Sequence, residues 1–112
     1  MVYRFEEDGH GIVIAEDKRD DLETYLHLHY PASDIPQQAR RLYLLNWLRL
    51  IVDVNYQPAP IIPELNPATG KILDMSYAAL RSVSPVHVQY LKNMGVQASM
   101  SISIVRNDRL WA

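Results

Sequence analysis

Cysteine is absent from the 112 residues, which excludes disulfides, thiolate metal ligands, a cysteine nucleophile and a thioether bond to a cofactor within this chain. An excess of charge of either sign is also missing. The 11 basic and 13 acidic residues leave a formal net charge of -2, and the cations are scattered from Arg4 to Arg109 with no cluster beyond Arg40-Arg41. Without a basic stripe, no electrostatic footprint for nucleic acid exists. No apolar run is long enough to span a bilayer, and Met1-Val2-Tyr3-Arg4 lacks the basic-then-apolar layout of a signal peptide. No membrane association and a cytoplasmic location are therefore expected. With 48% apolar and 21% charged residues, the composition is that of a soluble globular domain. A chain of this length buries about two-thirds of its unfolded surface, enough for one core and one modest pocket, so residues 1–112 are expected to form a single domain.

Periodicity divides the chain into short elements. Val2-Tyr3-Arg4-Phe5 alternates as a strand does, and Asp8-Gly9-His10-Gly11 makes a turn into the β-branched run Ile12-Val13-Ile14, predicting a hairpin. Leu22, Tyr25, Leu26 and His29 recur at three- and four-residue intervals, which predicts a short helix over 20–28. Pro31 and Pro36 bracket a loop, with Asp34 as the cap of a helix running from Gln37 to about Trp47. Leu48 to Val54 turns β-branched, predicting a strand. Pro58, Pro60, Pro63 and Pro67 make the next stretch, to Asp74, a long loop, followed by a short helix over Tyr77 to Ser82. Ser84-Pro85 opens a helix that Gly95 closes. From Val96 to Val105 the residues Val96, Ala98, Met100, Ile102 and Ile104 form one apolar face, expected to be core, and Gln97, Ser99, Ser101 and Ser103 form a polar one. A turn over Arg106 to Arg109 leads into a final strand at Leu110-Trp111-Ala112. The mixture predicts an α+β fold, an antiparallel sheet flanked by helices. Strands that start and stop at the chain ends predict a fragment or a domain that borrows a strand, hence a homodimer.

Chemistry is sparse. His27-Leu28-His29 has no third ligand at a defined spacing, so no metal is expected. No serine stands in a nucleophile elbow, and Glu6, Glu7, Asp8 and Asp17 form a solvated face, so no catalytic residues are expected. Arg49 and Arg81, with Tyr43, Ser84, Ser99 and Ser101, supply guanidinium forks and hydroxyls suited to paired ligand carboxylates. Tyr3, Tyr30 and Tyr90 could line a slot for a flat conjugated body with His87 at its edge. On composition alone, solvent-facing arginines and half-buried core tyrosines account for these residues better than a pocket does.

Two longer motifs carry more. Tyr30-Pro31-Ala32-Ser33-Asp34-Ile35-Pro36 resembles the phytochrome signature ending in Asp-Ile-Pro, and the stretch from Arg81-Ser82-Val83-Ser84-Pro85-Val86-His87 to Val96 resembles that family's pocket helix. Val2-Tyr3-Arg4-Phe5, Arg40-Arg41-Leu42-Tyr43 and Leu110-Trp111 fit the same register, so the resemblance spans nearly the whole chain. It implies the core of a phytochrome-type GAF domain, truncated at both ends. It also implies a linear tetrapyrrole as chromophore, biliverdin or a related bilin. In that resemblance the Asp34 carbonyl accepts from pyrrole N–H groups while its carboxylate faces the mobile outer ring, and Ile35 and Pro36 fix the turn. His87 packs beside the central rings. Arg49, Arg81 and Tyr43 engage one propionate, and Ser84, Ser99 and Ser101 the other. Tyr3, Tyr30 and Tyr90 surround the outer ring.

Two positions depart from the family pattern. Val86 stands where plant-like members carry the attachment cysteine, so the resemblance is to the bacteriophytochrome type and the pigment is non-covalent within this chain. His27 stands where the family commonly has glycine, which predicts strain if the backbone there is left-handed. The family further implies neighbouring sensory domains and a histidine-kinase output in a parent protein. A chromophore-free GAF interaction or dimerisation module is the alternative, and a small-ligand or enzymatic GAF domain has no motif in its favour.

Overall fold

The computed structural model describes residues 1–112. By backbone proximity the chain forms two compact units, Met1–Trp47 with Ser103–Ala112, and Leu48–Ile102. All strand pairing is antiparallel, in one three-stranded sheet and two two-stranded ribbons. Neither helix is long and apolar enough to cross a membrane.

In the first unit the expected hairpin forms from β1 (Val2–Phe5) and β2 (Gly11–Ala15), and β3 (His29–Tyr30) pairs with the far side of β2. Val13, on the central strand, is fully buried. The helix expected over 20–28 is not there; the chain instead runs back along β2 through turns. Backbone groups that a helix would use are drawn to the sheet: Val13 N–H donates to the Leu28 carbonyl (3.2 Å), and His27 N–H donates to the Val13 carbonyl (2.9 Å). Glu16 completes the change by accepting from the Thr24 hydroxyl (2.6 Å) and the Tyr25 N–H (3.0 Å). Nine residues are too few for a helix to persist unless packing supports it, and Leu22 and Leu26 are exposed.

His27 does adopt a left-handed conformation, with φ at 68°. The strain costs a side-chain-bearing residue about 1–2 kcal/mol, offset in part by the entropy that a glycine loses on folding. His27→Gly is therefore expected to stabilise the chain by about 0.5–1 kcal/mol, read as a higher urea midpoint at unchanged slope. An unmoved midpoint would remove strain at this turn from the account.

Helix α1 (Gln37–Leu45) starts after Pro36, which occupies the cap position in place of Asp34; the Pro36 carbonyl accepts from Arg40 N–H (3.1 Å). Proline has no side-chain acceptor, and no side chain caps this end. The helix stops two residues short of Trp47, whose indole N–H returns to the Leu44 carbonyl (2.9 Å). The last segment closes as a tight hairpin, β6 (Val105–Arg106) and β7 (Arg109–Leu110), around Asn107 and Asp108. Both turn residues have positive φ, 51° and 57°, the conformation that lets a two-residue turn follow the strand twist. Trp111 then joins the first strand, accepting from Phe5 N–H (2.9 Å).

The second unit contains β4 (Leu48–Ile51), helix α2 (Pro85–Asn93) and β5 (Ser99–Ile102). Its core is Ile51, Val54 and Leu91, with Val83, Val88 and Val96 packed around them. Helix α2 begins at Ser84-Pro85 and ends before Gly95 at φ 71°, as its sequence predicts. The strands are shorter than their apolar alternation suggests, and the face assignment is reversed. Leu48, Leu50, Met100 and Ile102 are 50%, 44%, 66% and 63% exposed. The face carrying Arg49, Ser99 and Ser101 also carries Ile51, which packs on Leu91 of α2. Alternation separates two faces of a strand but does not say which one a helix covers.

Between β4 and α2 the proline-rich stretch is a loop, as its composition demands, with a single bridge between Leu65 and Ile72. Asn66 organises the turn inside it, its side chain accepting from Ala68 N–H (2.9 Å) and its carbonyl from Gly70 N–H (2.8 Å). No helix forms over 77–82; one turn closes from Ala78 N–H to the Met75 carbonyl (2.9 Å), and Arg81 occupies carbonyls that a helix would need.

Candidate functional site

In the first unit, alternation along β1 places Tyr3 and Phe5 on one face, over Gly11 and Val13 of β2 and beside Tyr30 of β3. The rings touch: Tyr3 lies 5.2 Å from Phe5, edge to face at 70°, and 5.7 Å from Tyr30, tilted at 43°. Burial pushes the Tyr30 phenol above the ordinary tyrosine range, and the potentials of Tyr25, Asp34 and Glu16 push in the same direction. Tyr30 therefore remains a neutral hydroxyl at any physiological pH. Asp34 follows on an exposed turn closed by its own N–H donating to the Pro31 carbonyl (3.0 Å). Ile35 is half-buried, Pro36 opens α1, and Tyr43 sits half-buried on that helix. Arg40 fastens α1 to the hairpin by donating to the Gly9 carbonyl (2.7 Å).

In the second unit, the polar ribbon face carries the candidate anion-binding groups. Arg49 and Ser101 are direct ladder partners, and Arg49 Nε donates to Ser101 Oγ (3.0 Å). Ser99, opposite Ile51, is the next residue on that face. His87 stands in the first turn of α2. Its ring is open to solvent on one side, yet crowding by protein atoms on the other penalises the charged form, and the Arg49 guanidinium adds repulsion. Both causes hold its pKa below the ordinary 6.5, so the imidazole is neutral at pH 7 and offers one donor and one acceptor. Tyr90, three residues on, shares that side of the helix and is partly exposed.

Two predicted residues are held differently from the group around Arg49. Arg81 turns one amine onto its own loop, with Nη1 donating to the carbonyls of Ser76 (3.1 Å) and Ala78 (3.4 Å). Ser84 occupies the N-cap position of α2 without capping through its hydroxyl; its carbonyl accepts from Val88 N–H (3.0 Å). Sequence reasoning missed Tyr56, whose hydroxyl accepts from Val83 N–H (2.7 Å) and pins the entry to α2 from 27 residues away. Nothing local signals so distant a pairing. It also missed the buried Gly11, although a glycine opening a β-branched run is a mark of close approach. His29 stacks on His10 at 5.4 Å, and no three His, Cys, Asp or Glu side chains are grouped to hold a metal ion.

No family model matches the chain. It is 62% identical over 111 residues to cyanobacterial phytochrome B of Nostoc sp. and 60% identical over 111 residues to a bacteriophytochrome of Pseudomonas aeruginosa, each match covering 99% of this chain and 15% of the relative. The chain thus spans about 15% of the length of these curated relatives. Among solved structures, the chromophore-binding domain of an unusual bacteriophytochrome from R. palustris matches with a TM-score of 0.93 at 50% identity, over 97% of this chain and 37% of that one. The chromophore-binding domain of a Stigmatella aurantiaca phytochrome matches at 0.90 and 55% identity, over 97% and 35%. The resemblance carried by the Asp34-Ile35-Pro36 turn and the Ser84-Pro85-Val86-His87 helix start is therefore general to the chain. Identity of half or more along nearly its whole length, with a shared backbone, makes this chain a homologue of one segment of the phytochromes.

Proposed function

We propose that these residues are the GAF-type core of a light sensor that holds a linear tetrapyrrole, biliverdin or a related bilin, without a covalent bond from this chain. The observation that carries the proposal is the Arg49 guanidinium held by Ser101 on the polar face of the β4–β5 ribbon, beside an imidazole kept neutral. Such a face fits a propionate, which needs charge-assisted donors, next to pyrrole nitrogens, which need a neutral polar neighbour. When bound, the pigment supplies absorption of visible light and a double bond that isomerises.

The chain's own residues then have separate tasks. Arg49, with the remaining donors of Arg81, neutralises one propionate, and Ser84, Ser99 and Ser101 donate to the other. His87 holds a water or a ring nitrogen by hydrogen bonding. Asp34 presents a carbonyl acceptor from its turn and an exposed carboxylate toward the outer ring, which packs on Tyr3 and Tyr30. In a parent protein, neighbouring sensory domains and a histidine-kinase output would read the change, in a cytoplasmic homodimer. Asp34→Ala is expected to leave pigment binding largely intact and to impair photoconversion, because it keeps the carbonyl and removes the carboxylate. An unchanged photocycle would sink that division of labour.

The primary test is absorbance of the chain with added biliverdin, before and after red illumination. A sharpened far-red band that shifts with light is the expected result. Free-pigment spectra in a sample folded by circular dichroism would overturn the photosensor proposal. The chromophore-free interaction module, which the exposed Leu48, Leu50, Met100 and Ile102 face favours, would then take its place.

A further inference from the structure

Gly11 has no part in the ligand contacts assigned above, yet it lies at the centre of the aromatic cluster. It pairs with Phe5 of β1 on one side and with Tyr30 of β3 on the other, on the face that also carries Tyr3 and Val13. Tyr3 is opposite Val13 in the ladder, so its ring reaches diagonally into the space above Gly11. A Cβ built on Gly11 would lie 2.0 Å from Tyr3 Cζ, 2.1 Å from Cε1 and 2.2 Å from the hydroxyl oxygen. Carbon atoms in contact need about 3.5 Å, so the ring would have to retreat by roughly 1.5 Å. Its retreat is restricted by Phe5 at 5.2 Å and Tyr30 at 5.7 Å. Gly11 lies in ordinary strand pairing, outside the positive-φ glycines, so what the position requires is empty space and not a special backbone.

We propose that Gly11 is a positioning residue for Tyr3: its missing side chain is the seat that sets the height and tilt of the phenol against Tyr30, and so fixes the room left for the outer ring of a bound tetrapyrrole. The seat itself stands on the geometry of the sheet, and its consequence for the pigment rests on the photosensor proposal above. Gly11 acts through Tyr3 and touches no pigment itself. A larger residue at position 11 would drive the phenol off the sheet and change which outer-ring orientations fit.

The experiment is a double-mutant cycle in the full chain, using Gly11→Ala, Tyr3→Ala and the pair, with two readouts. Without pigment, Gly11→Ala is expected to abolish the nuclear Overhauser contacts between the Tyr3 and Tyr30 rings. With biliverdin, it is expected to displace the absorbance band and reduce photoconversion at least threefold, and the same substitution in the Tyr3→Ala background is expected to change neither. Retained ring contacts in Gly11→Ala, or an effect of equal size without Tyr3, would overturn the proposal. Should Gly11→Ala fail to fold, the pair decides: native circular dichroism in Gly11→Ala/Tyr3→Ala supports a seat for the ring, and continued unfolding refutes it. If the parent chain takes up no biliverdin, the photosensor proposal falls by itself, and the ring contacts alone decide whether Gly11 seats Tyr3.

Discussion

Leu91→Ala is expected to cost about 2–4 kcal/mol and to remove most of the urea resistance of the Leu48–Ile102 unit. Only Ile51, Val54 and Leu91 are buried apolar side chains there, so Leu91 supplies a large share of what the unit takes out of water. Collapse into the vacated space is resisted on both sides. Ile51 is held by the β4–β5 ladder, and α2 is held by Ser84–Pro85 at one end and by Val96 N–H donating to the Leu91 carbonyl (3.0 Å) at the other. Leu91→Met conserves volume and is expected to cost less than about 1.5 kcal/mol. Urea melts followed by circular dichroism test the pair, and near-equal midpoints would show that Leu91 is not the keystone of this core.

Arg49→Met is expected to weaken biliverdin binding by tenfold to a hundredfold, because a charged donor contributes about 1.5–3 kcal/mol to such a contact. The substitution keeps an unbranched apolar stem and removes the guanidinium with its charge and donors. It has a second readout that needs no pigment. His87 is held below its ordinary pKa first by burial and second by Arg49, so losing Arg49 raises the His87 pKa part of the way toward 6.5. Because the folded value is the lower one, the unfolded chain binds the proton first as pH falls. Stability from the neutral ring is full above 6.5 and is lost as pH falls through the folded value. Arg49→Met therefore loses less stability than the parent between pH 7 and pH 5. Titration of the His87 ring by NMR checks the direction, and an unmoved midpoint would mean that the guanidinium does not act on this ring.

The elements legible in the sequence were those whose signals are local. Ser84-Pro85 with Gly95 framed α2, Pro36 marked the start of α1 to within a residue, and the turn at Asp8 to Gly11 announced the first hairpin. The helix expected over 20–28 failed because its spacing was matched by a competitor invisible in a local window: the free edge of β2, which recruits His27, Leu28 and Tyr30. The ribbon's apolar face was legible as a face but not as an exposed one, since that depends on where α2 packs. Within the site, Arg49 with Ser101 and Tyr3 with Tyr30 were singled out by residue type and are brought into contact. The Arg81 contacts with Ser76 and Ala78, and the Tyr56 contact with Val83, follow from loop conformations that no periodicity encodes.

The two-faced ribbon also limits how this protein can change length over time. Arg49 and Ser101 point one way while Leu48 and Ile102 point the other, and each added residue turns a strand by half a period. Gain of a single residue within Leu48–Ile51 would send the guanidinium to the greasy side and bring a leucine to the histidine. Gain of two would restore the pattern. Descendants of this chain should therefore tolerate insertions in β4 and β5 by parity, in even steps, whereas the long loop between β4 and α2 can lengthen by any count.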